Sequence, residues 1–389
     1  LQKLKQHLSR KQSIAHTGIV LKHKKYLKAR KGSPRALVSY LTSPVVNDLN
    51  NEPEIMFSNR GIARSIPRAL NELGYVVDVV NYDNTTAQLP QRYYDLLIQH
   101  GAVNYDYVKA ALKPGGVLIY FSSGSYWKFH NDSETKRFQN LARRTKSTLS
   151  PDRLIELSEE QVNSEANGII ALGNAGVRAT YKKFSSVFSL NLACYPDAHF
   201  DTFKKDHARS RSNFLFFAGG GNVHKGLDLV VEAFTQLDQH LYIVTHIEDG
   251  FRQVYREQLS SPNIHVIGSL QMRTEQYYEV FDACSFSILA SCSEGQPGSM
   301  IESLNEGLVP IVTKESHLDT AGYGFEITAS VDSIKSAVLA ASSLPTKEIE
   351  RRSKVARSKA LAEHSPGVFI QNFKEHVAKI VESKHHDED

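Results

Sequence analysis

Short, wholly apolar runs alternate with helix-like segments from residue 36 to about residue 190, break off, and then resume. That rhythm restricts the fold more than any other feature of the chain. Ala36–Leu41, Tyr75–Val80, Tyr94–Gln99, Gly116–Phe121, Gly168–Leu172 and Val187–Leu192 read as strands. They are continuous β-branched, aromatic and aliphatic runs rather than alternating ones, which implies burial on both faces. Arg60–Gly74, with Ile62, Ile66, Leu70 and Leu73 on one face, and Tyr105–Leu112 read as helices between them. Such an alternation predicts an α/β chain with parallel sheets covered by helices. Residues 196–212 are polar and without period. The rhythm then restarts with strands at Phe214–Ala218, Leu241–Thr245, Ile264–Ile267, Phe286–Ala290 and Val309–Thr313. Helices are expected at Gly226–Phe234, Gln276–Ala283 and Met300–Gly307, and the tail from Val331 to about Lys384 is helical in pattern. Two similar halves joined near residue 200 follow, with a ligand expected between them, beyond the carboxyl ends of the strands.

Composition narrows the class. At 389 residues, 41% apolar and 23% charged, the chain is an ordinary globular one and long enough for two domains. No apolar run reaches the roughly 18 residues that span a bilayer. Cys194, Cys284 and Cys292 form no CxxC pair, so a zinc ribbon is excluded and a reducing, cytoplasmic compartment is expected. The net charge of +4 conceals an asymmetry: residues 1–35 carry eleven basic and no acidic side chains, leaving 35 basic against 42 acidic residues beyond them. The basic arm lacks the apolar core of a secretory signal. It reads as a solvated leader, a contact with an anionic membrane at its inner face, or a nucleic-acid contact, and the acidic body argues against the last.

Two segments carry chemistry. The first is Phe214-Leu-Phe-Phe-Ala-Gly-Gly-Gly-Asn-Val-His-Lys-Gly226, a strand followed by Gly219, Gly220 and Gly221, with Lys225 and Gly226 opening a helix. Close backbone approach, free N–H groups and a lysine suit a phosphate. An ordinary turn that needs glycine for steric reasons would read the same. The second follows the strand at Phe286–Ala290: Glu294-Gly-Gln296-Pro297-Gly298-Ser299-Met-Ile-Glu302 leads into a helix. The new helix offers another anion site, and two carboxylates bracket it, each able to grip a vicinal diol. A capping Glu294 and a solvated Glu302 are the plainer alternative.

The second segment resembles the donor site of retaining glycosyltransferases of family 4, also described as glycosyl transferases group 1, in which two glutamates are separated by seven residues within E-G-x-x-x-S-x-x-E. Glu294-Gly295, Ser299, Glu302 and the later Gly307-Leu-Val-Pro-Ile311 match in place, and Lys225-Gly226 matches the family's lysine about seventy residues upstream. The resemblance implies the GT-B fold: two Rossmann-like domains facing each other across a cleft. The expected organisation is a basic arm over 1–33, an acceptor domain over 34–200 and a nucleotide-sugar donor domain over 201–365. A C-terminal helix over 366–389 would return to the first domain. Glu302 would bind the donor ribose and Glu294 the transferred sugar. Lys225, the Gly219–Gly221 turn and the backbone from Gln296 to Ser299 would hold the diphosphate. His130 resembles a cleft histidine that touches the donor sugar. The donor would be a UDP- or GDP-sugar and the acceptor a carbohydrate or lipid-linked hydroxyl, with no metal. In this family an arginine usually stands where Gly220 stands here, so another cation is expected to substitute, His224 or an arginine elsewhere.

The N-terminal half resembles the family more loosely, through Ser58-Asn59-Arg60, His100-Gly101 and Ser122-Ser123-Gly124-Ser125. Arg143, Arg144 and Lys146 read as a solvated helix face or as an acceptor contact. A sugar-nucleotide epimerase and a non-catalytic nucleotide-sugar-binding protein share the fold and stand as alternatives to a transferase.

Overall fold

The computed structural model describes residues 21–23, 31–49, 58–202 and 205–386. The strands are β1 (Leu21–His23), β2 (Arg35–Tyr40), β3 (Val76–Asn81), β4 (Tyr94–Gln99), β5 (Leu112–Ser122), β6 (Gly168–Leu172) and β7 (Val187–Leu190) in the N-terminal half. The C-terminal half holds β8 (Asn213–Phe217), β9 (His240–Val244), β10 (Ile264–Val266), β11 (Phe286–Leu289), β12 (Val309–Thr313) and β13 (Phe325–Ile327). The first sheet runs β1-β3-β2-β4-β5-β6-β7 and the second β10-β9-β8-β11-β12-β13. All pairings are parallel except β1 on β3. Among the parallel strands of each sheet the order reverses direction once, between β2 and β4 and between β8 and β11. Open parallel sheets leave a crevice at such a point.

The strands were legible because they are saturated with apolar side chains: β6 and β12 are buried at every position. Most expected helices recur within one or two residues, at Ser58–Glu72, Leu227–Phe234, Glu275–Asp282 and Gly298–Asn305. Four differences stand out. Within the expected basic arm, Leu21–His23 pairs as an edge strand; residues 1–20 and 24–30 lie outside the described residues. Ser43–Leu49, read as a polar stretch, is a helix. Phe325–Ile327 adds a strand too short to show a pattern. The largest is a 19-residue helix, Trp127–Thr145, after β5.

The last helix, Pro366–His386, packs on the Ser58–Glu72 helix and along β5, β6 and β7. Phe373 meets Phe121 with ring centroids 6.3 Å apart, and Lys374 pairs with Glu72 at 2.9 Å. The chain's end is thereby bound to the half where it began. Among the described residues no helix is long and apolar enough to cross a membrane.

Candidate active site

Residues after β5, β8, β9 and β11 line a cavity of about 510 Å³ between the sheets. Its wall includes Gly219, Gly220, Lys225, Glu294, Gln296, Pro297, Gly298, Ser299 and Glu302, so two segments about seventy residues apart in sequence meet at the reversal of the second sheet. Phe217, Val244, Leu270 and Met272 form an apolar side, and Asn59 and Ser123 come from the N-terminal half.

Glu302 lies one turn into the Gly298–Asn305 helix and is 4% exposed. One carboxylate oxygen, Oε2, has no hydrogen-bond partner among the described residues, and the Arg273 guanidinium stands 3.9 Å away. Burial pushes this carboxyl up to about 8, against the pull of Arg273. A buried acceptor without a donor is costly, and a ligand hydroxyl would satisfy it. Above it, the first N–H groups of the same helix, at Gly298 and Ser299, have no intrahelical acceptor. Pro297, which has no N–H, precedes them at the cap.

Glu294 pairs with Lys225 and accepts a hydrogen bond from Ser291 Oγ at 2.6 Å. Burial alone would raise its carboxyl; Lys225 and then His224 overcome that and hold it at about 2. The free protein therefore closes these two cavity-lining charges, each 12% exposed, on each other. The loop is fixed from the N-terminal half: Ser125 Oγ donates to the Glu294 carbonyl at 2.7 Å. Gly295 is glycine because a Cβ there would lie 2.4 Å from the Ser123 carbonyl oxygen, so the two halves touch backbone to backbone.

The glycine turn differs from expectation. Gly219 and Gly220 face open space in the cavity. Gly221 does not: its N–H donates to Glu248 Oε1 at 2.7 Å, joined by the Asn222 N–H at 3.2 Å. Asn222 Oδ1 in turn accepts from the Glu248 N–H at 2.9 Å. A carboxylate of the chain itself thus fills the anion nest that Gly221 was expected to offer a phosphate. Gln296 lines the cavity, but its side chain is committed elsewhere, accepting from the Leu192 N–H at 2.7 Å and donating to Asn191 Oδ1 at 2.9 Å.

His130 is not among the lining residues. Its Nε2 donates to the Arg153 carbonyl at 2.7 Å, and the neighbouring Asn131 exchanges two hydrogen bonds with the backbone of Ile155. The geometry replaces the expected sugar contact with support of the 146–158 segment. His224 is also no phosphate cation. It is 1% exposed, donates from Nε2 to the Ser293 carbonyl at 2.7 Å and pairs through Nδ1 with Glu134. Glu134, His224 and Cys292 have ligand-type atoms within 4.8 Å of one another, the group of described residues closest to a metal-binding set. Hydrogen bonding between Glu134 and His224 closes it across the two halves. His100 lies at the end of β4, between Tyr40 and Tyr82, with Nδ1 on the Phe121 carbonyl at 2.9 Å.

Arg144 is neither solvated nor facing an acceptor. It pairs with Asp228 and Glu232 of the C-terminal half. Arg137, 5% exposed, lies 3.7 Å from Asp228 and donates to the Ala290 carbonyl at 2.7 Å. Sequence reading missed Arg137, Arg153, Glu248 and Arg273, which belong to no local motif. Only three-dimensional proximity assembles them.

Residues 212–341 match the family model described as Glycosyl transferases group 1. No curated protein matches the chain in sequence. Three solved structures share its architecture. One is sucrose-phosphate synthase from Thermosynechococcus elongatus, 12% identical, covering 90% of this chain and 100% of that one, with a TM-score of 0.63. Another is a glycosyltransferase from Rickettsia africae, 12% identical, covering 90% and 99%, at 0.57. The third is HepE from Anabaena, solved in complex with UDP and glucose, 11% identical, covering 89% and 100%, at 0.55. These likenesses establish the fold: two Rossmann-like domains facing across a cleft, the GT-B architecture. The family match, over one third of the chain, supports a glycosyltransferase.

Proposed function

We propose that the protein is a retaining glycosyltransferase that moves a hexose from a nucleotide-diphosphate sugar to an acceptor hydroxyl. The observation that carries this reading is the orphaned carboxylate oxygen of Glu302, buried at the base of a cavity whose other wall is the Lys225–Glu294 pair. A ribose diol answers Glu302. The Gly298 and Ser299 N–H groups, the helix dipole behind them and Lys225 suit a diphosphate. The apolar side at Phe217, Val244, Leu270 and Met272 suits a base. Glu294 is then placed to accept from the sugar once Lys225 turns to phosphate.

In the transfer, the bond from the anomeric carbon to the diphosphate oxygen breaks and a bond to the acceptor oxygen forms on the same face. The acceptor's proton passes to the departing diphosphate. Lys225 and the helix N-terminus stabilise the charge that develops on that leaving group. The acceptor, a carbohydrate or lipid-linked alcohol, would approach from the N-terminal half, past Ser123 and Asn59. The UDP and glucose held by HepE make UDP-glucose the first donor to test, with GDP-sugars next.

A thermal-shift panel of UDP, GDP, ADP and their sugars tests the reading. A ligand at 100 times its dissociation constant stabilises the native state by about 2.7 kcal/mol, a shift of a few degrees. One nucleotide class should shift the wild type and lose its effect in Glu302→Ala and Lys225→Ala. Acceptor-dependent release of free nucleotide separates a transferase from a binding protein of the same fold. No shift with any nucleotide would sink the donor-site reading.

A further inference from the structure

We propose that Arg153, carried by the N-terminal half, is the second phosphate-binding cation of the donor site and makes it selective for diphosphates over nucleosides. The inference rests on the donor-site reading above and adds a residue that no motif in the C-terminal half supplies.

A nucleotide-diphosphate sugar brings two negative charges into the cavity. Among the described residues two cationic side chains line it, Lys225 and Arg153. Lys225 is already offset by Glu294. Arg153 pairs with no carboxylate within ion-pair distance among the described residues; its guanidinium Nη1 donates to the neutral Gly220 carbonyl at 3.2 Å. Glu248 occupies the Gly221 and Asn222 N–H groups, so an incoming phosphate cannot settle in that turn. It is left the space between Lys225, the Gly298 and Ser299 N–H groups and the guanidinium. A planar guanidinium presents paired donors that match two phosphate oxygens, which a carbonyl uses poorly.

The chain is built to deliver this side chain. His130 holds the Arg153 carbonyl, and Asn131 holds the Ile155 backbone, both from the Trp127–Thr145 helix. Leu149, on the same 146–158 segment, lies against Gly250 of the C-terminal half. The stem of Arg153 crosses Gly221, where φ is +88° and a Cβ would lie 2.4 Å from Arg153 Cδ. Glycine at 221 therefore makes room for the arginine. The diphosphate is gripped from both halves, so its binding ties the 146–158 segment to the donor loops.

Isothermal titration of full-length wild type, Arg153→Ala and Arg153→Lys is the test. The probes are UDP, GDP and ADP with uridine, guanosine and adenosine. Arg153→Ala should weaken the bound diphosphate about ten- to a hundredfold and its nucleoside less than twofold, with Arg153→Lys in between. The diphosphate should also slow amide hydrogen exchange over 146–158 in wild type but not in Arg153→Ala. Diphosphate affinity unchanged in Arg153→Ala, or equal weakening of diphosphate and nucleoside, would overturn the role of Arg153 while leaving the donor site in place. A wild type that binds no diphosphate would overturn both.

Discussion

Glu294 and Glu302 are both glutamates on one short loop-and-helix segment, and their surroundings drive them to opposite protonation behaviour. Burial dominates at Glu302, carrying it from an ordinary 4.5 to about 8. The native state then holds a proton that the unfolded chain releases, so this residue costs stability as pH rises from about 4.5 to 8. Glu302→Gln should therefore be more stable than wild type by roughly 2–4 kcal/mol at pH 8.5, with the difference closing near pH 4.5. Urea unfolding at the two pH values checks this; an equal gain at both would refute the ionisation as its cause. At Glu294 the depressed value means stability present above about 4.5 and lost as pH falls toward 2. Its pairing with Lys225 also restrains the lysine. Glu294→Gln should strengthen diphosphate binding about threefold to tenfold while lowering sugar transfer on the order of a hundredfold. Titration calorimetry beside a transfer assay would show the two effects parting; weakened diphosphate binding would contradict the competition.

Among the elements, the Trp127–Thr145 helix shows what a sequence conceals. Its buried residues are Glu134, Arg137, Phe138 and Leu141, so half of the inward face is charged. Apolar periodicity finds helices that bury hydrocarbon, and this one buries ion pairs to the opposite half instead. Asp228, fully buried, shows the same bargain: burial pushes its carboxyl up while Arg137 and Arg144 pull against it. Removing one partner of such a buried pair typically costs about 3–5 kcal/mol. Arg137→Ala should lose about 3 kcal/mol and separate the unfolding of the halves in calorimetry. Arg143→Ala, exposed on the same helix, should stay within about 0.5 kcal/mol. Equal losses in the two variants would remove the helix from this role. The Glu294–Glu302 segment, by contrast, was legible because its chemistry is local. Arg273, which faces Glu302, and Arg153 and Glu248, which meet the glycine turn, lie far away in sequence, and nothing in their own neighbourhoods marks them.

For the molecule as a whole, two largely parallel sheets followed from saturated apolar strands, and a ligand place between the halves, beyond the strand carboxyl ends, was expected from that architecture, whereas the strand orders were not legible. The short edge strands β1 and β13 escaped because three residues carry no period. The terminal Pro366–His386 helix binds the chain's end to the N-terminal sheet through Phe369, Phe373, Val377 and Ile380, all buried. Phe373→Ala should cost about 3–5 kcal/mol in urea unfolding. Because the loops proposed to bind the donor lie on the other sheet, nucleotide affinity should change less than twofold in the folded variant. A large loss of affinity would mean that the helix governs the cleft as well as the fold.

Glu248 in the glycine turn and Glu294 on Lys225 have a joint effect on selectivity. Each places a tethered anion where a free one would otherwise lodge. A tethered carboxylate competes at an effective concentration on the order of millimolar or more that does not fall when the surroundings are dilute. Orthophosphate, sulfate and citrate arrive with charge alone and meet rivals that never diffuse away. On the proposed donor-site reading, a nucleotide sugar would also bring a base for the apolar wall and a diol for Glu302, and would displace Glu294 from Lys225 without having to move Glu248. On that reading the protein's own carboxylates would set an entry threshold that charge by itself does not cross.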